Sequence, residues 1–215
     1  MTDAPSELTR LKRMHERAHY DEETVHTILD AQPLCTVGYV FNGQPVVTPT
    51  LQWREGNHLY WHGSSASRML EHSENMAVCV NVTIFDGMVM ARSAFNHSCN
   101  YRSVMAFGIA HKVQLAADKE ARLKAMVEHY FPGRWNILRP VQAKEIKATT
   151  VLGMELKEVS AKIRSGPPGD DEEDYALPIW AGVIPLRTAV GEAVACPRVM
   201  PGVEVPGHVV GFKMG

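Results

Sequence analysis

Apolar and polar residues alternate through much of this chain, and a period of two predicts strands. Met76, Val78, Val80, Val82 and Ile84 keep the alternation without a break. Leu34 to Phe41, Pro45 to Trp53, His58 to His62, Met88 to Ser93, Tyr101 to Leu115, Thr149 to Val159 and Leu177 to Leu186 also read as strands. Asn42-Gly43 is a strong hairpin signal. Arg54 to Asn57 and Asp86-Gly87 are read as further turns. In the short third strand Leu59 and Trp61 face one way, and His58, Tyr60 and His62 the other. Met105, Phe107 and Ile109 share one side of the long strand. Gly108 lies between Ala106 and Ala110, which leaves room for a close approach.

Helical spacing occupies the gaps. Glu7 to His19 carries Leu8, Leu11, His15 and Ala18 on one face. Asp21 is placed to cap a second helix that runs to about Ala31 and stops at Pro33. Ser64 or Ser65 is placed to cap a short helix around Arg68. Asp118 is expected to cap a helix bearing Leu123, Met126, Val127 and Tyr130, ended by Pro132-Gly133. Gly166 to Asp174 reads as a mobile loop, and Arg187 to Gly215 as an extended tail ordered only against a partner surface. Consecutive strands joined by tight turns predict a mainly β protein, an antiparallel barrel with peripheral helices. The divisions are N-terminal helices over 1–32, a barrel domain over 33–186 and a tail over 187–215.

Composition narrows the function classes. Apolar residues make up 45% and charged residues 21%, ordinary globular usage, and the formal net charge of −2 argues against a nucleic-acid partner. No apolar run approaches a membrane span, and Met1 to Pro5 lacks the marks of a secretory signal. The four cysteines form no CxxC pair and read as reduced thiols of a cytoplasmic protein.

Two strings carry candidate chemistry. In Trp61-His62-Gly63-Ser64-Ser65-Ala66-Ser67-Arg68 a strand ends, a glycine turns, and a Ser-rich segment opens a helix. Unpaired N–H groups, hydroxyls and a guanidinium suit a phosphate monoester. A Ser-capped helix beside a solvated arginine reads the same way on spacing alone. The second string is Asn96-His97-Ser98-Cys99-Asn100-Tyr101-Arg102-Ser103, a polar run before a long apolar strand. It also reads as a loop that satisfies its own backbone. His58 and His62 stand about 13 Å apart on a strand, too far for one metal ion. His15 and His19 lack a third ligand, so no metal site is expected. Glu22-Glu23 and Asp170 to Asp174 read as solvated carboxylates.

The order of elements and three strings resemble the FMN-binding split-barrel proteins similar to pyridoxamine 5'-phosphate oxidase, in their Nim-type (nitroimidazole-resistance-related) branch. The strings are His58-Leu59-Tyr60-Trp61-His62-Gly63 with Ser67-Arg68; Asp86 to Ser93 running into Asn100-Tyr101-Arg102-Ser103-Val104 and Gly108; and Ser160 to Arg164 with Trp180-Ala181-Gly182-Val183. The resemblance spans residues 10 to 186. It implies FMN at a homodimer interface, with Trp61, His62 and Gly63 ending a strand under the flavin. Ser67 and Arg68 would grip the phosphate, helped by Ser64 and Ser65, with Arg102 or Lys162 as a second cation. Ser103 stands where the oxidases carry a flavin-contacting glutamine. Thr48, Pro49 and Thr50 would line the ring edge, and Trp180 would pack across the dimer. The arginine–histidine substrate motif of the oxidases is missing from Arg187 to Gly215, which argues against vitamin B6 oxidation. The expected activity is FMN-dependent oxidoreduction of a small non-phosphorylated molecule, with His62 and His97 as acid–base candidates by residue type. A haem-handling barrel and a flavin binder without turnover are the alternatives.

Overall fold

The computed structural model describes residues 3–67 and 75–214. Among the described residues, nine strands form one antiparallel sheet: β1 (Ala18–His19), β2 (Leu34–Phe41), β3 (Gln44–Glu55), β4 (His58–Ser64), β5 (Met76–Met90), β6 (Ser98–Lys112), β7 (Thr149–Glu155), β8 (Glu158–Arg164) and β9 (Gly182–Pro185). The described α-helices are α1 (Glu22–Ala31), α2 (Ala116–Tyr130), α3 (Ala143–Ala148) and α4 (Gly207–Val210).

The ring β6–β5–β2–β3–β4–β7 closes because β7 returns to β6. That return is short. Only His111 and Lys112 of β6 pair with β7, whereas Tyr101 to Phe107 pair with β8. β6 therefore divides one edge between two strands, and the barrel is split there. β1 extends β8, and β9 extends β5. This is the antiparallel barrel expected from the alternation, in its split form.

Alternation decides what lies inside. Leu59 and Trp61 point inward and are fully buried with Val37, Val80, Val104 and Leu152. α1 closes one end of the barrel with Val25, Ile28 and Leu29. Asp21 caps it, its carboxylate accepting from the Thr24 amide at 2.9 Å. The buried Gln52 Nε2 donates to the carbonyls of Leu29 and Gln32 at 2.7 and 2.8 Å, answering groups that a helix C-terminus leaves unpaired. α2 covers the outer face of β3 and β4: the Tyr130 hydroxyl donates to the Gln52 carbonyl, and Arg122 pairs with Glu55 at 2.5 Å. Cys35 is a core thiol, pushed up to about 12 by burial. Cys196, by contrast, is exposed.

Several elements differ from expectation. Glu7 to His19 is not a helix. Met14 takes a left-handed conformation (φ 56°), a 3-10 turn covers His15–Arg17, and Ala18 and His19 add a strand to β8. A short isolated helix is marginal in water, whereas the open edge of β8 offers ladder hydrogen bonds. Asp86-Gly87 is a bulge inside a continuous β5, and β5 ends at Met90. A Cβ on Gly87 would lie 2.6 Å from the Ile184 carbonyl oxygen of β9, so the bulge and the added strand need a glycine. Thr149 to Val159 is broken between β7 and β8. Leu177 to Leu186 contains only the four-residue β9. Leu115, not Asp118, is the N-cap of α2. Gly108 does face a close neighbour, the Met154 side chain, 3.1 Å from where a Cβ would stand.

Two loop expectations also change. Asp170 is not solvated: its carboxylate is fully buried, accepting from the Arg92 amide and pairing with the Arg92 guanidinium, both at 2.9 Å. The tail is mostly irregular, yet it returns to its own chain, where Phe212 stacks on Phe131 with centroids 5.5 Å apart.

Candidate functional site

β4 runs through Gly63 and Ser64, which pair with Thr150 and Thr149 of β7. The chain then turns. The Ser65 amide donates to the Ala148 carbonyl at 2.8 Å, the Ala66 amide to Ser64 Oγ at 3.3 Å, and the Ser67 amide to the Ser64 carbonyl at 2.8 Å. These amides are already committed, that of Ser65 to the end of α3 and the other two within the turn. An anion here would be met by hydroxyls and by whatever Arg68 contributes. Arg68 and the helix expected around it lie outside the described residues. Thr50 on β3 sits beside this turn, its hydroxyl donating to the His62 carbonyl at 3.5 Å. Thr48 and Thr50 are half-buried and Pro49 is exposed.

The two aromatic residues before the turn have different surroundings. Trp61 is wholly inside the barrel. His62 points to the outer face, edge-on to Trp53 at 5.9 Å. Its Nδ1 is buried without a partner, and burial lowers its pKa, so the ring is held neutral. His62 thus brings a neutral imidazole with an uncommitted nitrogen to the end of β4.

The β6 candidates fall elsewhere. Arg102 donates from Nε and Nη2 to the Asp86 carboxylate at 3.0 and 2.8 Å; these bonds raise its pKa. Its charge is already answered. It lines a crevice with Ile84, Arg187 and Met214, to which none of residues 62–67 contributes. Ser103 donates to the Lys162 carbonyl at 3.3 Å. Trp180 is 64% exposed and shields Gly182, where a Cβ would lie 3.0 Å from the indole. Within the single chain, Thr50, His62 and the Ser64–Ser67 turn come together, while Arg102, Ser103 and Trp180 stand apart.

Sequence reasoning missed two concave regions. One is an apolar trough of about 520 Å³ bearing His58, Tyr60 and His111. His111 Nδ1 lies 3.1 Å from Asn75 Oδ1, and a Cβ on Gly153 would strike the Tyr60 ring. The other is a cavity of about 480 Å³ lined by Arg13, Arg17, His97, Lys162 and Arg164 beside Phe95. Arg13 and Arg17 fall within the segment whose spacing predicts a helix, so no spacing signal points to β8. Among the described residues, no three His, Cys, Asp or Glu side chains gather as metal ligands. No described helix is long and apolar enough to cross a membrane.

The family model for pyridoxamine 5'-phosphate oxidase matches residues 21–163. The chain belongs to this family. As a member of the pyridoxamine 5'-phosphate oxidase family it is similar along its whole length to the flavocytochrome Anf3 from Azotobacter vinelandii, with 50% identity, all of both chains covered and a TM-score of 0.96. It is also similar to a FAD and haem binding protein from Mycobacterium smegmatis, with 35% identity over 92% of this chain and 98% of that one, TM-score 0.88. A candidate 5-nitroimidazole antibiotic resistance protein from Bacteroides thetaiotaomicron shares the fold, at 19% identity over 68% and 86% of the chains, TM-score 0.55. No curated protein sequence matches the chain.

Proposed function

We propose that this family member binds both a flavin and a haem and passes electrons between them and a small molecule. The full-length likeness to a flavocytochrome at 50% identity carries the reading. FMN, expected from the strings, gives way to FAD as the favoured flavin, because the M. smegmatis protein with FAD and haem is 35% identical over nearly the whole chain. Haem, an alternative at the level of sequence, becomes part of the main reading.

The residues present fit a flavin. The turn after β4 offers hydroxyls on a rigid strand end, and His62 brings a buried, unpartnered nitrogen beside Thr50. Thr48 to Thr50, His62 and Ser64 to Arg68 would hold the group. A bound flavin supplies hydride and one-electron chemistry. The chain's own part is to seat the phosphate, keep His62 neutral and shield the site with Trp53 and α2. For haem the chain must offer an imidazole with one nitrogen anchored and the other open, and His97 and His111 both qualify.

The homodimer expected from the resemblance is part of the same proposal. Val40, Val47 and Ile109, each 44–68% exposed, line a groove of about 580 Å³ on the outer face of β2, β3 and β6. An apolar groove of this kind suits a second copy of the chain.

The test is the absorbance spectrum and mass of what copurifies from cells supplied with riboflavin and haem precursor. A Soret band with a flavin shoulder, FAD by mass and a dimer by light scattering are expected. A colourless protein that takes up neither FAD nor haemin on titration would overturn the reading.

A further inference from the structure

The cavity between the 13–17 turn, the loop before β6 and the end of β8 is built around positive charge. Lys162 and Arg164 stand on β8, opposite Ser103 and Tyr101 of β6. Ala18 of β1 pairs with Lys162, which carries Arg17 to the same rim. The left-handed Met14 folds the preceding chain back, so Arg13 joins it. Arg164 is only 9% exposed, yet among the described residues it meets only neutral acceptors, the side-chain oxygen of Asn100 and, at 3.4 Å, the Pro167 carbonyl. Asn100 is itself held, its Nδ2 donating to the Gly166 carbonyl at 3.1 Å. Neither Arg13 nor Lys162 has an ion-pair partner among the described residues. Arg17 has Glu16 at 3.6 Å, an exposed neighbour that neutralises little. The nearby carboxylate of Asp170 is spent on Arg92. Four cations and no described carboxylate therefore line the cavity. Burying a guanidinium beside other cations is costly unless an anion completes the site.

The rest of the lining narrows the anion. Asn96 Nδ2 is buried without a partner, a second donor left unanswered at the same place, and Ser98 adds a hydroxyl. His97 is tethered through Nδ1, 2.8 Å from the Ser93 carbonyl. Only Met14 and Phe95 are apolar, so the cavity does not fit a porphyrin ring. Guanidinium forks match phosphate oxygens. One phosphate monoester, at about −2, answers only part of the four charges, whereas a diphosphate answers most of them. The volume of about 480 Å³ falls within the range of sites for whole small molecules. Phe95, 92% exposed, presents an uncovered ring beside the cations, and such a ring suits the flat face of a base. None of residues 48–50 or 62–67 lines the cavity, so it is separate from the turn after β4.

We infer that this cavity binds the diphosphate of a nucleotide, with Arg13, Arg17, Lys162 and Arg164 on the phosphates and Phe95 against the base. Two sources share that chemistry: a free nucleoside diphosphate, and the adenylate half of a flavin dinucleotide. The inference goes beyond the flavin and haem reading and does not depend on it.

Inorganic pyrophosphate, ADP and adenosine are titrated calorimetrically into protein incubated with excess FMN, which fills any site for the flavin phosphate and brings no adenylate. Wild type is expected to bind pyrophosphate and ADP, and adenosine at least tenfold more weakly. The double variant Arg13→Met/Lys162→Met is expected to lose about 10- to 100-fold toward both phosphates. Phe95→Ala, a change at an exposed ring that leaves the core alone, is expected to lose about 5- to 150-fold toward ADP and nothing toward pyrophosphate. Replacing FMN by FAD separates the sources: lost ADP binding assigns the cavity to the adenylate of the flavin, and undiminished binding assigns it to a free nucleotide. If wild type binds neither pyrophosphate nor ADP, or the double variant binds them as tightly as wild type, the inference falls. Equal losses of ADP and pyrophosphate in Phe95→Ala would overturn the nucleotide assignment. None of these outcomes requires the protein to hold a flavin or a haem, so the reading of the previous section stands or falls separately.

Discussion

Arg102 and Arg164 stand on neighbouring strands, where Arg102 is paired with Ile163 and Arg164 with Tyr101 in the β6–β8 ladder, yet their surroundings are opposite. Arg102 has a bidentate carboxylate supplied by the same chain at Asp86. Arg164 is more deeply buried and has only an amide oxygen and a carbonyl. The same division holds around each. Arg54 and Arg122, on the side covered by α1 and α2, pair with Asp30 and Glu55 at 2.5 Å. Arg13 and Lys162, at the cavity beside Arg164, pair with nothing among the described residues. A cation answered within the chain holds the fold, whereas a buried cation left unanswered has its counterion elsewhere.

That contrast can be broken by substitution. Arg68 belongs by resemblance with the cations that wait for a ligand. Arg68→Ala is expected to weaken a phosphorylated flavin about 10- to 150-fold and to spare riboflavin. Equal losses in a fluorescence-quenching titration would place the phosphate somewhere else. Arg102→Met removes a cation that serves the fold and strands Asp86, so urea unfolding should lose about 1–3 kcal/mol. A midpoint that does not move would remove Arg102 from the structural class.

His62 gives the comparison a pH axis. Burial lowers its folded pKa, so the unfolded chain binds its proton first as pH falls. Its contribution is complete above the unfolded value near 6.5 and is lost on acidification below it, with a slope of at most about 1.4 kcal/mol per pH unit. His62→Gln should flatten that part of the stability profile, and an unchanged profile between pH 7 and 5 would show that the ring is solvated. The smallest effect is expected at the unanswered rim. Lys162→Met should change stability by less than about 0.5 kcal/mol in the same urea experiment. A loss as large as that of Arg102→Met would erase the distinction.

Much of the barrel was legible in the sequence because alternation reports burial directly. Leu59 and Trp61 inside with His62 outside follows from parity alone, and Asn42-Gly43 makes the hairpin at positive φ. The Asp21 cap is equally local. What failed depended on partners distant in sequence. Glu7 to His19 has helical spacing, but the free edge of β8 decides its conformation. Asp86-Gly87 has turn chemistry, but β9 lies against it and makes it a bulge. The same limit applies to the site. The turn after β4 is one contiguous string and could be read as such. The cavity around Arg164 joins residues 13–17, 95–98 and 162–169, and no one-dimensional spacing links them. Arg102 was legible as a cation but not as a paired one, because Asp86 reaches it only across the β5–β6 ladder.

The divided edge of β6 also bears on how the chain is made. β5 and β6 can zip together as soon as both leave the ribosome, since they form a long local hairpin. The other edge of β6 must wait for β7 and β8, which follow only after α2 and α3 have been synthesised. Until then the nascent chain displays an unprotected strand edge and an open half-barrel with its valines in water. Closure of such distant pairings is slow compared with hairpin formation. Translation speed between residues 112 and 164 therefore sets how long the unfinished barrel is open to chaperones or to pairing with a neighbouring nascent chain.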